Sequence, residues 1–287
     1  MNNNNAQVGL ANVNAKADIK GCETINNQFG GKTYNNDNSI SQVINQNYYI
    51  NILPELNPTE AIKTAIALGN QNAKSVGELV EEELQNSNIL KEQVKEKLKN
   101  PEILSAIAEA NKIAYTESDE DKQKVLAKLI CEKFKSNESF EQIVYSEAIK
   151  TIPKLTLFQI KLLYIVAVFI YCKIPFETKE EVIQHIQNLC NYIDDININQ
   201  TNIEHLIYSG VVERRIMFAN FQKVLKKQHD ESQYNEIKNN EFIVKFEKFW
   251  NESFLKSILL TSVGKAIAIT YSKSIDKPIA GTEKIFR

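Results

Sequence analysis

Along most of this chain apolar side chains return every three or four residues; before about residue 54 that rhythm gives way to polar runs and short alternating pieces. The first spacing marks helices with one buried face, and alternation marks half-buried strands. Asn57-Pro58-Thr59-Glu60 reads as a helix start, with Asn57 as cap and Pro58 in the first turn. That helix is predicted to run toward Gln85, with a weak point at Gly69. A charged helix over 88–99 ends at Asn100-Pro101, which also begins the next. Ser118-Asp119-Glu120-Asp121 opens another, whose acidic residues suit the positive end of the helix dipole; Val125, Leu129, Ile130 and Phe134 then follow helical spacing.

Thr156-Leu157-Phe158-Gln159 has the form of a capping box ahead of the most apolar run in the chain, Leu162 to Cys172. At 11 residues between Lys161 and Lys173 that run is far short of the roughly 20 needed to cross a bilayer. It predicts a buried core helix, with Leu162, Leu163, Ile165, Val166, Phe169 and Ile170 inside. Further helices are predicted over 178–193, 201–209, 214–228, 240–258 and 262–273. Two pieces depart from simple helix: residues 202–212 read as a helix stopped by Gly210 and continued by a strand. Leu260-Thr261-Ser262-Val263-Gly264 reads as a strand end entering a helix, with Thr261 or Ser262 as cap.

Residues 1–53 differ in kind. They are crowded with asparagine, hold Gly9, Gly21, Gly30 and Gly31, and carry little charge. Asparagine and glycine favour turns over helix. Between them lie short β-compatible pieces, and from Ile44 to Ile52 the even positions read Ile, Gln, Tyr, Ile, Ile. Two readings stand: a disordered tail, or short strands paired within or between copies, where stacked Asn side chains form ladders. On the second reading Gln7, Val8, Gly9, Ile19, Ile25, Phe29 and Tyr34 are the candidate oligomerisation residues.

The expected fold is therefore mainly α. A short-stranded Asn/Gly-rich β segment, 1–53, precedes a helical domain, 54–287, made of a bundle over 54–152 and a winged-helix-like portion over 153–287 with a helical insertion. A 43% hydrophobic and 24% charged composition is that of a folded globular chain. The formal charge of −2 supplies no global attraction for nucleic acid or anionic membranes. Residues 204–287 carry 14 Lys/Arg against 10 Asp/Glu, a thin surplus for a DNA footprint. Cys22, Cys131, Cys172 and Cys190 are scattered, without a Cys-x-x-Cys pair, and no basic-then-apolar leader opens the chain, so a reducing, cytoplasmic setting is expected.

Chemistry-bearing motifs are sparse. Gly30-Gly31-Lys32-Thr33 imitates the end of a phosphate-binding loop, but Asn26 stands where that loop needs glycine, and turn residues follow in place of a helix. His185, His205 and His229 have no metal-ligand spacing, Asp194-Asp195 read as a solvated helix end, and no sequence motif pairs a nucleophile with a base. No catalytic residue, cofactor or metal is expected.

The same segments resemble an uncharacterised bacterial family whose members open with Gln-x-Gly and Asn-rich stretches. Here these are Gln7-Val8-Gly9, Ala17-Asp18-Ile19 and Gly30-Gly31 through Asn38. The family continues with a helix matched by Pro58-Thr59-Glu60-Ala61-Ile62 through Ala67. A Pro-x-Leu-Thr-x-x-Gln helix is matched by residues 153–159. More loosely, the C-terminal two thirds is similar to the Abi-alpha type of abortive-infection protein, from which the charged stretch between Arg214 and Trp250 departs. The resemblance implies antiviral defence without a catalytic set. The expected function is a non-enzymatic, homo-oligomeric assembly protein whose partners are its own copies and a phage or host protein trigger. A winged-helix DNA-binding regulator and a membrane-disrupting effector are the alternatives; nucleic acid, and membrane in the resting state, are the disfavoured partners.

Overall fold

The computed structural model describes residues 58–87, 91–171, 178–193, 198–215, 220–228 and 231–277. The candidate oligomerisation residues Gln7, Val8, Gly9, Ile19, Ile25, Phe29 and Tyr34 lie outside them, as do the phosphate-loop look-alike, Asp194-Asp195 and His229. The chain divides into two units between Leu68 and Gly69, and the packing below is that of the second.

The described residues form twelve α-helices and one two-stranded sheet, the mainly helical fold that the apolar spacing predicts. Helix α1 (Pro58–Asn86) matches its expected span, and α2 is Lys91–Lys97. Asn100 caps α3 (Pro101–Thr116), and Asp119 caps α4 (Glu120–Lys135) by accepting from the Lys122 N–H. Then comes α5 (Ser139–Thr151), which the sequence reading did not separate from its surroundings. Helix α6 (Leu157–Val166) opens on the predicted capping box and widens into a π turn, Ala167–Tyr171. Helices α7 (Lys179–Cys190) and α8 (Gln200–Tyr208) follow, then strand β1 (Val212–Arg214). After α9 (Phe221–Gln228), α10 (Glu231–Ile237) and α11 (Glu241–Glu252), strand β2 (Ile258–Leu260) leads into α12 (Ser262–Ser274).

Helix α12 is the axis of the body. It packs against α4, α5 and α6, and every residue from Ala266 to Ser272 is buried. Beside it Leu162, Leu163, Ile165, Val166 and Phe169 of the α6 run are buried, as predicted, while Ile170 is only half-buried. Fully burying side chains of this size contributes roughly 1.5–3 kcal/mol each, so this pair of helices supplies much of the body's cohesion.

The charged stretch after β1 folds onto the π turn. The Phe169 ring lies 4.5 Å from Trp250 and 5.2 Å from both Phe221 and Phe246, centroid to centroid. Two helices of that stretch, Phe221–Gln228 and Glu241–Glu252, supply these partner rings. Helix α11 stops at Glu252, short of the predicted residue 258, because residues 258–260 pair with β1 instead: Val212↔Leu260, Glu213↔Leu259, Arg214↔Ile258, antiparallel. The Tyr171 hydroxyl accepts the Leu260 N–H at 3.1 Å, so the π turn also steadies the strand.

At the junction two glycines are irreplaceable for different reasons. Gly210 ends α8 with φ 74°, the left-handed region that side chains avoid. Gly264, in the first turn of α12, lies so close to the residue before β1 that an added Cβ would overlap the Val211 carbonyl. Thr261 locks the contact: its hydroxyl donates to the Gly210 carbonyl at 2.8 Å, and accepts the Gly264 N–H at 3.2 Å.

Candidate ligand cleft

Helix α5 packs against both α3 and α4, and the three helices line an open cleft of about 450 Å³. One wall is a single face of α3: Pro101, Glu102, Ser105, Ala106 and Glu109, one turn apart in pairs. The opposite wall is α5, with Gln142, Ile143, Ser146, Glu147, Ile149 and Lys150. A volume of this size is that of a small-molecule site.

Lys133 of α4 forms the floor. It is only 3% exposed, and it follows Leu126, Leu129 and Ile130 on the stripe of α4 that faces the core. Lys133 also lines a small apolar pocket, too small for water, with Ile103, Ile107, Phe134 and Ile149 among others. The Lys133 Nζ donates to the Gln142 carbonyl at 3.1 Å and to Ser146 Oγ at 2.7 Å. Both acceptors are neutral, and no carboxylate lies within ion-pair distance of it among the described residues. Burial lowers the lysine's proton affinity; the field of Glu102 acts the other way, and that of Lys150 adds to the lowering.

A serine beside a buried lysine invites comparison with a nucleophile and its base, and the hydrogen bonding argues otherwise. The Ser146 hydroxyl gives its own hydrogen to the Gln142 carbonyl at 2.8 Å, so the lysine must be the donor in the Lys133–Ser146 contact. The pair is an ammonium held by two oxygens. Ser146 also sits in the middle of α5, where backbone N–H groups are taken by the helix and none can hold an oxyanion. The arrangement suits binding.

Other titratable groups are committed to holding the helices together. Glu117 and Lys122, each with 11% of its side chain exposed, pair at 2.5 Å beside the start of α4. Glu83 of α1 takes Lys128 at 2.7 Å, and Glu132 takes Lys273 of α12 at 3.1 Å and Lys135 at 3.2 Å. Burial alone would raise the Glu132 carboxyl, but its two lysines outweigh that and hold it below its usual value. Lys97 closes the end of α4 by donating to the Phe134 and Ser136 carbonyls and to Asn137. The Cys131 thiol, buried and donating to the Val80 carbonyl, is pushed up to about 12 by burial, and Cys190 is buried against the Phe242 carbonyl. Thiols in such surroundings are inert. His205 accepts from the Gln159 amide at 2.9 Å, tying α8 to the cap of α6. Among the described residues no group of three His, Cys, Asp or Glu could hold a metal ion, and no helix is long and apolar enough to cross a membrane.

The cleft is not among the sequence expectations, because one of the three consecutive helices that form it, α5, has no single apolar face to mark it. A lysine on the apolar stripe of α4 was the available signal. A family model described only as ":-like" matches residues 31–247, and the chain belongs to that uncharacterised family. No curated protein and no solved structure matches the chain.

Proposed function

We propose that this member of the family is a homo-oligomeric assembly protein that acts by binding, with residues 1–53 joining copies and the helical body carrying the trigger site. The supporting observation is an imbalance within one chain. The body from Gly69 onward has a core made by its own helices. Residues 1–53 offer few large apolar side chains, among them Val8, Ile19, Ile25, Phe29 and Tyr34, spread over a long polar stretch. Ordering backbone costs about 1–2 kcal/mol per residue, which so little burial in one copy could hardly offset. Repetition across symmetric copies supplies strand partners and Asn ladders. The bacterial resemblance makes abortive infection the setting, with a phage or host factor as trigger, in the cytoplasm. Light scattering on the full chain and on a chain starting at residue 54 tests this. The shorter protein is expected to keep its helical spectrum and lose its higher stoichiometry; equal stoichiometry would return residues 1–53 to the tail reading.

A second reading, the winged-helix module, is supported by the β1–β2 pair flanked by α8 and α12. On that reading α8 is the reading helix, yet it carries Gln200, Thr201, Asn202, Glu204 and His205 and no Lys or Arg. That chemistry favours a protein surface over phosphates.

A further inference from the structure

The cleft's charges are arranged in a way that the fold itself does not require. An ammonium has three N–H donors, and Lys133 spends two on neutral oxygens at the floor. A buried charge with no ion-pair partner is costly, and an anion entering the cleft would relieve it. The anion cannot be a large or multiply charged one, because the α3 wall presents Glu102 and Glu109, neither of which has an ion-pair partner among the described residues. A simple cation is equally unsuited, since Lys133 would repel it. On the α5 wall Glu147 and Lys150 neutralise each other at 2.9 Å, and Ile143, 61% exposed, offers apolar surface beside Pro101 and Ala106. One positive floor, one negative wall and an apolar remainder fit a molecule carrying both charges and a hydrocarbon arm.

We propose that the cleft binds a free amino acid with an apolar side chain. Its carboxylate accepts from the third Lys133 N–H, its ammonium lies against the Glu102–Glu109 wall, and its side chain covers Ile143 and Ala106. The site is formed by the helical body, so it does not depend on the assembly role proposed for residues 1–53. Ligand binding is measured by calorimetry, whatever the stoichiometry of the protein.

The full chain is titrated in turn with L-leucine, L-isoleucine, L-methionine and L-phenylalanine, then with the methyl ester and the N-acetyl derivative of the best binder. The ester lacks the carboxylate and the N-acetyl form lacks the ammonium. Each is expected to bind about tenfold or more weaker than the free amino acid, the discrimination of one charge-assisted contact. Lys133→Met, which leaves no orphaned partner, is expected to remain folded and to lose binding to a similar degree. Glu102→Gln combined with Glu109→Gln should weaken the free amino acid while leaving the N-acetyl form unchanged. Absence of binding by all four amino acids overturns the proposal. So does binding that is indifferent to esterification or to Lys133→Met.

Discussion

Helix α4 carries a buried lysine near each end, and the two are held in opposite ways. Near its start Lys122, 9% exposed, meets the Glu117 carboxylate, which also accepts the Asp119 N–H at 3.0 Å; the Gln123 amide donates to the Glu117 carbonyl at 2.7 Å. Near its end Lys133, 3% exposed, meets only a carbonyl and a hydroxyl. The first charge is matched and belongs to the architecture of the α3–α4 turn. The second is unmatched and faces an open cleft. Burial by itself says little about what a lysine is for; the identity of its acceptors says more.

The comparison is broken most severely at the first lysine. Lys122→Met leaves the Glu117 carboxylate buried without a counter-charge, a loss expected to cost about 3–5 kcal/mol in urea unfolding. A cost below about 1 kcal/mol would show that the pair contributes no more than an exposed one. A smaller effect is expected at Glu132, whose side chain is 15% exposed while its lysine partners are about a third exposed. Glu132→Gln should cost about 1–2 kcal/mol at neutral pH, discounted for solvent screening at the lysines. Because the folded state holds this carboxyl below its ordinary value of 4.5, its contribution is complete above that value and is lost as pH falls below it. The variant should therefore lose stability less steeply than the parent on the acid side, and parallel acid profiles would refute the assignment.

The smallest change is expected at the second lysine. Lys133→Met removes a charge that no carboxylate among the described residues pairs with, and Ser146 keeps its bond to the Gln142 carbonyl. Stability should stay level or rise by about 1 kcal/mol. Since burial holds the folded-state lysine below 10.5, its penalty fades as pH rises through the folded value toward 10.5, and parent and variant should converge there. A loss of more than about 2 kcal/mol would make Lys133 a structural tie between α4 and α5.

Local chemistry made much of the fold legible. Asn100-Pro101, Asp119, Thr156 with Gln159, and Thr261 each cap the helix that they were expected to start. What escaped was decided by partners distant in sequence. Residues 258–260 are equally apolar as helix or strand, and β1 settles the matter. Helix α5 exposes Phe140 and Ile143 while burying Val144, Tyr145, Ala148 and Ile149, so its apolar positions blur into two faces. The cleft needed that helix and could not be seen without it. The seven N-terminal positions lie outside the described residues, and the assembly role rests on their composition.

The position of α12 has a consequence for the order in which this protein can be completed. It follows the other eleven described helices in the chain, yet it occupies the space between α4, α5 and α6. During synthesis those three helices emerge well before the segment that covers them, leaving the faces that α12 will bury open to water for the time that roughly a hundred residues take to be made. At about 5–20 residues per second that interval is many seconds, long compared with helix formation. The growing chain is thus exposed to wrong apolar partners until α12 has been made, and the core closes only when that helix arrives.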